Sequence, residues 1–592
     1  MAMRSPKLIN TAIISDDAYL AARLTSALAK RHHYLTVMDG PRLTRGDARA
    51  EVLRRNNVLA RINVSRVILS GLSTSQESAM ANQLPDTAVR SCAADDVEGF
   101  ASKSLLSNRR LRWGKKNIGS GLLRALYEGR LIEFDDDGPT IPTIAGYSRH
   151  HVVCEAGDPM SEVIAANYAF SLGAGITIIP KVDKQCAQQL LEDLYLSENG
   201  ETRHILQEKL REKCGEIQVT ERVSLTFFTE KLPFGIGFPT QPSTHIFNYP
   251  DCGVSVANGF AAEQKGSRGV NVAVLVDPEK TTAPEMDAAT KILPKRSVFV
   301  RGYRGRGADV RNVTDMVDHF PYDLLLFATH CGDSSGWRWT YEYEDSEGID
   351  RNLVVDVAVG VGRSDDPDIF QVTEFIRFHS LDGVDWNDPV AKADLYVGTA
   401  INDYAERKTN DDFAPVSKEP LDRVRLSAAM AMFDSNFIPI PVDLAGGGTP
   451  IVINNACVSW HQLAARFTFG NARAYIGTLY PVLPFEAESV VTQLLDKYWG
   501  KLLPEALLLA QVGTYGKSDQ RRPYVMTGVY TQKLRTTKEN VPQHIMQRLS
   551  HGMHVYARLV ERESNKDKRQ LQHVVDYYRK EATAFRKRWL LK

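Results

Sequence analysis

YDLLLFATHCG, residues 322–332, and PIVINNACVSW, residues 450–460, share one build. Each holds a short apolar run with no charge inside it. Each run then stops at a polar turn that carries a reactive side chain, His330 in the first and Cys457 in the second. Short, turn-bounded apolar runs read as strands buried on both faces of a parallel sheet. In open parallel sheets, side chains just past the C-terminal strand ends line the ligand crevice. If these two strands are neighbours, His330 and Cys457 face one another although 127 positions separate them. A thiol becomes a strong nucleophile only once deprotonated. A nearby imidazole lowers its pKa and can later protonate a leaving amine. Backbone N–H groups at such turns can stabilise an oxyanion.

Outward from these stretches, the pattern repeats. VNVAVLV (270–276), SVFV (297–300) and RAYIG (473–477) read as further strands, with helices near 284–293 and 308–319 between them. Upstream, strands are expected at 8–15, 34–38, 66–71, 151–154 and 175–180. Helices are expected at 17–31 and 160–172, and two more within 183–215. This βαβ rhythm predicts an α/β fold with a mostly parallel sheet flanked by helices. Residues 233–250, rich in Pro, Gly and Phe, suit a linker or domain seam. Three regions are expected: an N-terminal α/β regulatory or sensing region of one or two subdomains at 1–260, a domain at 261–515, and a mainly helical region at 516–592. In the last, Leu571, Val574, Val575, Tyr578, Ala582, Phe585 and Trp589 fall at helical spacing, which predicts a docked helix.

The stretch PIVINNACVSW, followed by GNARAYIGTLYPVLPFEAESVVTQLLDKYWG (470–500) and LLPEALLLAQ (502–511), resembles the end of a CHAT domain, one of the caspase-like cysteine peptidases. In that family a strand ends in the catalytic cysteine, then comes a helix, and then a strand with Gly-Thr-aromatic-Pro-Val. Here that signature reads Ile476-Gly477-Thr478-Leu479-Tyr480-Pro481-Val482. The resemblance covers roughly residues 265–515 and implies a caspase-like fold with His330 and Cys457 as the catalytic dyad. It also implies amide hydrolysis through a thioacyl intermediate, with no metal and no cofactor in the chemical step. Bacterial members are often tied to defence systems. The family usually has glycine directly after the histidine, where its N–H helps form the oxyanion hole. Here Cys331 intervenes before Gly332, so the Cys331, Gly332 and Cys457 turns are the oxyanion candidates, and Cys331 is a second thiol to weigh.

Between the two strands, residues 341–412 hold 18 Asp or Glu against 6 Lys or Arg. Strand-like runs at 353–361, 369–378 and 395–401 mark this acidic insert as folded. Caspase-like peptidases commonly carry substrate-pocket loops there. An acidic pocket would favour a P1 Arg or Lys. Asp333, Asn455 and Trp337 are the pocket candidates. Asn454 and Asn455 are also suited to order the cysteine turn through bonds to the backbone.

Composition narrows the class. Of 592 residues, 43% are hydrophobic, and the 72 acids balance the 72 bases, so no global field points to nucleic acid or membrane. No window approaches the length of a membrane span, and the opening MAMRSPKLINTAIISDD is a poor secretion signal. Seven cysteines with no CxxC pair suit a reduced, cytoplasmic protein without structural zinc. One basic stretch, 101–130, has eight Lys or Arg against Glu128 alone. It offers a nucleotide or nucleic-acid receptor in the N-terminal half as an alternative reading. A CHAT scaffold that has lost hydrolysis is the other. The leading expectation is a triggered endopeptidase that cuts a partner protein at few sites, with a regulatory partner or ligand on residues 1–260.

Overall fold

The computed structural model describes residues 3–43, 48–81, 88–93, 96–100, 110–197, 200–215, 217, 223–248, 251–264, 269–363, 370–408, 413–441, 443–460, 462–517, 520–537, 540–562 and 565–589. The chain is α/β, as its sequence rhythm implies, and its centre is one mixed sheet of eleven strands. Across it lie Phe299–Arg304, Val272–Asp277, Leu324–Phe327, Ile451–Asn454, Ala474–Thr478, Tyr524–Gly528, Ser243–Phe247, Ser224–Thr229, His150–Glu155, Gly175–Ile179 and Thr143–Ile144. The first five run parallel. Tyr524–Gly528 is antiparallel to Ala474–Thr478 but parallel to Ser243–Phe247. The sheet is therefore two parallel blocks running in opposite directions, with the short strand Thr143–Ile144 antiparallel at the far edge.

The sheet crosses residue 260 without a break, and Tyr524–Gly528 belongs to it although it lies beyond 515. Residues 233–250 are a seam, but one that contains a central strand. His245 pairs with Thr527 at the join, and the Thr244 hydroxyl donates to Gly528 O at 2.7 Å. The N-terminal region contains two structures. Its first part is a separate four-stranded parallel sheet ordered His33–Met38, Lys7–Ser15, Arg66–Ser70 and Ala88–Ser91.

The C-terminal part is an α-hairpin of Val541–Arg562 and Asn565–Trp589. As the spacing predicts, the last helix docks through Val575, Tyr578, Ala582 and Phe585, all buried. Glu581 pairs with Arg301 on the edge strand. The acidic insert forms a five-stranded antiparallel sheet with its own core of Tyr341, Tyr343, Leu353, Val355, Val357 and Tyr404. One expected strand in it, 395–401, is absent. The helix Ala400–Lys408 starts there, because Asp403 turns back to accept from the Thr399 hydroxyl and the Ser346 amide.

Among the described residues, no helix is long and apolar enough to cross a membrane. No group of three or more His, Cys, Asp or Glu side chains suited to a metal ion occurs among them.

Candidate active site

The strands Leu324–Phe327 and Ile451–Asn454 are parallel neighbours, with Phe327 opposite Asn454. The Asn455 amide continues the pairing by donating to Phe327 O at 3.0 Å. His330 and Cys457 each stand three residues beyond that last pair, so both lie past the same edge of adjacent strands. His330 is exposed, Cys457 half-buried.

The cysteine turn is densely tied. The Asn454 side chain accepts from the Ala456 amide at 3.0 Å, as expected for an asparagine that orders a turn. The Ser459 hydroxyl donates to Asn454 O at 2.9 Å and accepts from the Thr478 amide at 3.1 Å. The Thr478 hydroxyl donates to Ala456 O at 2.9 Å. Gly477 is forced by close approach, since a Cβ there would meet the Trp460 backbone at 2.9 Å. The Gly-Thr motif thus acts as a cradle for the turn that carries Cys457. Directly after the cysteine, Val458 sits at φ +54°, a left-handed conformation that a β-branched residue adopts only at a cost.

The thiol of Cys457 is directed at Val482 O, at 3.9 Å. The His330 ring makes no hydrogen bond among the described residues. Its carbonyl accepts from the Ala431 amide at 2.9 Å, and the chain continues as a two-residue strand, Cys331–Gly332, against Ala429–Ala431. The expected oxyanion turn is therefore a strand start. Burial pushes the Cys331 thiol up to about 12, with Asp333 adding to the effect. A thiol so held stays protonated and is a poor nucleophile.

The pocket candidates separate. Asp333 is bound by Arg423 at 2.8 Å, and Arg423 also grips Glu192, so this carboxylate is already neutralised. Trp337 lies exposed on the insert's sheet, in the strand Gly336–Glu344. Asn455 is buried, and its side-chain amide donates to Glu285 at 3.2 Å. Glu285 escaped the sequence reading because a lone glutamate in a helix gives no signal. Burial raises its pKa. Its second oxygen and the Asn455 carbonyl oxygen have no hydrogen-bond partner among the described residues. Together they place two unused acceptors beside the cysteine turn.

The basic stretch is largely compensated where it is described. Arg110 pairs with Glu98 and Glu133, Lys115 with Asp136, and Arg124 and Arg130 with Glu128. Lys103 and Arg109 lie outside the described residues.

No family model matches the sequence, and no curated protein matches it. Among solved structures, Cwp6 from Clostridium difficile superposes with a TM-score of 0.22 and 12% identity, over 57% of this chain. The chain spans 62% of that protein's length. A likeness this low carries no argument about fold or chemistry.

Proposed function

We propose that the chain is a cysteine endopeptidase of the CHAT type, with Cys457 as nucleophile and His330 as general base and acid. The observation that carries this reading is the register: both residues stand three positions past the paired Phe327 and Asn454, on one edge of neighbouring parallel strands. In the reaction His330 takes the thiol proton and the thiolate attacks the scissile carbonyl. The amine leaves with that proton, and water then cleaves the thioester.

Among the described residues the two side chains make no bond to each other, with the thiol on Val482 O and the imidazole exposed. That arrangement suits an enzyme that a trigger switches on and that acts on a partner protein in the cytoplasm, as in bacterial defence systems. It equally suits a scaffold without hydrolysis, and one experiment separates the two. The purified chain is treated with acyloxymethyl ketone peptides bearing Arg, Asp or Leu at P1, alone and with cell extract as a source of trigger, and followed by intact mass. An adduct that disappears in Cys457→Ala but persists in Cys331→Ala is the expected result. The reacting peptide then names the P1 class. Labelling that survives Cys457→Ala would sink the assignment. A chain that takes no label under either condition is a scaffold.

A further inference from the structure

At the edge of the sheet opposite the dyad, the starts of the same strands surround a cavity of about 240 Å³. Asp323 precedes the histidine strand, Gly447, Gly448 and Thr449 precede the cysteine strand, and Arg473 precedes Ala474–Thr478. Arg61, the last residue of the helix Ala48–Arg61, and His544 and Arg548 from the helix Val541–Arg562 complete the polar wall. Three guanidinium groups therefore face one carboxylate. That carboxylate is occupied, because Asp323 accepts from the Asn271 and Val272 amides at 2.8 and 3.0 Å.

Two of the arginines make no direct ion pair among the described residues, although Glu263 and Asp323 attract Arg473 and Asp443 attracts Arg61 from farther off. Arg473 is 3% exposed, donates to Ala262 O at 3.5 Å, and leaves its Nε without a hydrogen bond among the described residues. The nearby Glu263 lies beside Arg535, at 3.6 Å, and accepts from the Lys533 amide. Arg61 donates to Asn258 Oδ1 and Gly447 O, both neutral acceptors. Asp443, the acid that attracts Arg61, is bonded by the Asn471 amide. Buried cations without a direct ion pair are costly, and the cavity that they line offers a place for an anion. The lining loop adds donors. Gly447, at φ +82°, turns the chain, and the Gly447 and Thr449 amides have no backbone partner among the described residues.

We propose that this cavity binds a phosphate group, held by Arg61, Arg473 and Arg548 with the Gly447–Thr449 loop. Forked guanidinium donors and loop amides together suit a tetrahedral dianion better than a single carboxylate. The site joins the N-terminal region, the sheet and the C-terminal hairpin. It lies roughly 20 Å from the dyad along the same strands, seven residues at strand rise. A bound phosphate would thus tie three parts of the chain together beneath the candidate active site. It does not depend on the peptidase reading.

The test is calorimetry on the full chain at fixed ionic strength, with inorganic phosphate, ADP and acetate as separate titrants. Saturable binding of phosphate or ADP, weakened about tenfold or more in Arg61→Gln and in Arg548→Gln, is expected. Circular dichroism establishes that each variant is folded. Arg473→Gln is predicted to weaken binding further, but it is secondary because the side chain is buried. Binding of ADP without inorganic phosphate would name a nucleotide as the carrier of the group. Binding of both would mean that the phosphate alone suffices. The proposal is overturned if the wild type binds neither, if acetate binds as tightly, or if folded Arg61→Gln and Arg548→Gln bind as the wild type does.

Discussion

In the half of the sheet built from residues 143–247, histidines sit on the strands themselves. His150 is bonded to Ser224 and Thr226, His151 to Thr177, and His245 to Met526 O and the Gly235 amide. His245 accepts from Gly235 N–H through Nε2, so its proton must be on Nδ1, facing Met526 O. Burial lowers these rings to about 3 for His150 and about 4 for His151 and His245. In the other half, His330 stands three residues beyond its strand, exposed and without a ring hydrogen bond among the described residues. One residue type thus serves two purposes. Inside the sheet a histidine is a neutral hydrogen-bonding strut. Past its edge the one at 330 stands exposed, outside that network of bonds.

The two halves meet at Trp460, three residues after Cys457. Its indole donates to Thr527 at 2.9 Å, and its rings pack against His245 and Phe247. If the halves form one cooperative unit, this residue carries much of the joint. Trp460→Ala is expected to lower stability by about 3–5 kcal/mol and to melt both halves in one transition. Calorimetry checks this. Two separate transitions, one of them unchanged, would break the picture of a shared sheet.

The buried histidines give a second, smaller effect with a definite sign. His245 titrates near 6.5 when unfolded and near 4 when folded. Its contribution is whole above the unfolded value and is lost as pH falls from about 6.5 to 4, because the unfolded chain takes up the proton first. Between pH 7 and pH 5 that one ring should cost about 2 kcal/mol of stability. Urea unfolding at the two pH values measures it. His245→Gln should flatten the difference relative to the wild type. A difference that Gln leaves unchanged would mean that the buried ring is not held neutral by the sheet.

How much of this contrast could be read in the sequence depends on how local its cause is. The histidine and cysteine strands were legible because LLLF and IVI are apolar, short and bounded by turns. The Gly477-Thr478 pair was legible as a motif, although its work of cradling Ser459 and Ala456 was not. Ser224–Thr229 and Tyr524–Gly528 were missed, and Ser243–Phe247 was read as part of a linker. Their hydroxyls and glycines weaken the apolar signal. Their pairing also joins His245 to Thr527 across 282 positions, which no local pattern encodes. Val397 and Thr399 suggested a strand where Asp403 caps a helix. Glu285 and Arg473 gave no signal, because what marks them is burial without a direct ion pair among the described residues.

Backbone conformation gives the smallest test. Past the strand Ser243–Phe247, the left-handed position falls on Asp251, a residue type that accepts it readily. Past the cysteine strand it falls on Val458. A β-branched residue there costs about 1–2 kcal/mol, and the fold holds it in place through the bonds around Ser459 and Thr478. Val458→Gly removes the strain but adds backbone entropy to the unfolded chain. Stability should therefore stay level or rise by about 1 kcal/mol, a change small enough to need chemical denaturation rather than a thermal scan. If the strain serves to aim Cys457, the relaxed variant should label more slowly with the reactive peptide while its fold is intact. Equal labelling rates in Val458→Gly and the wild type would mean that the strained turn serves packing, and that the two halves differ in their side chains but not in their backbone.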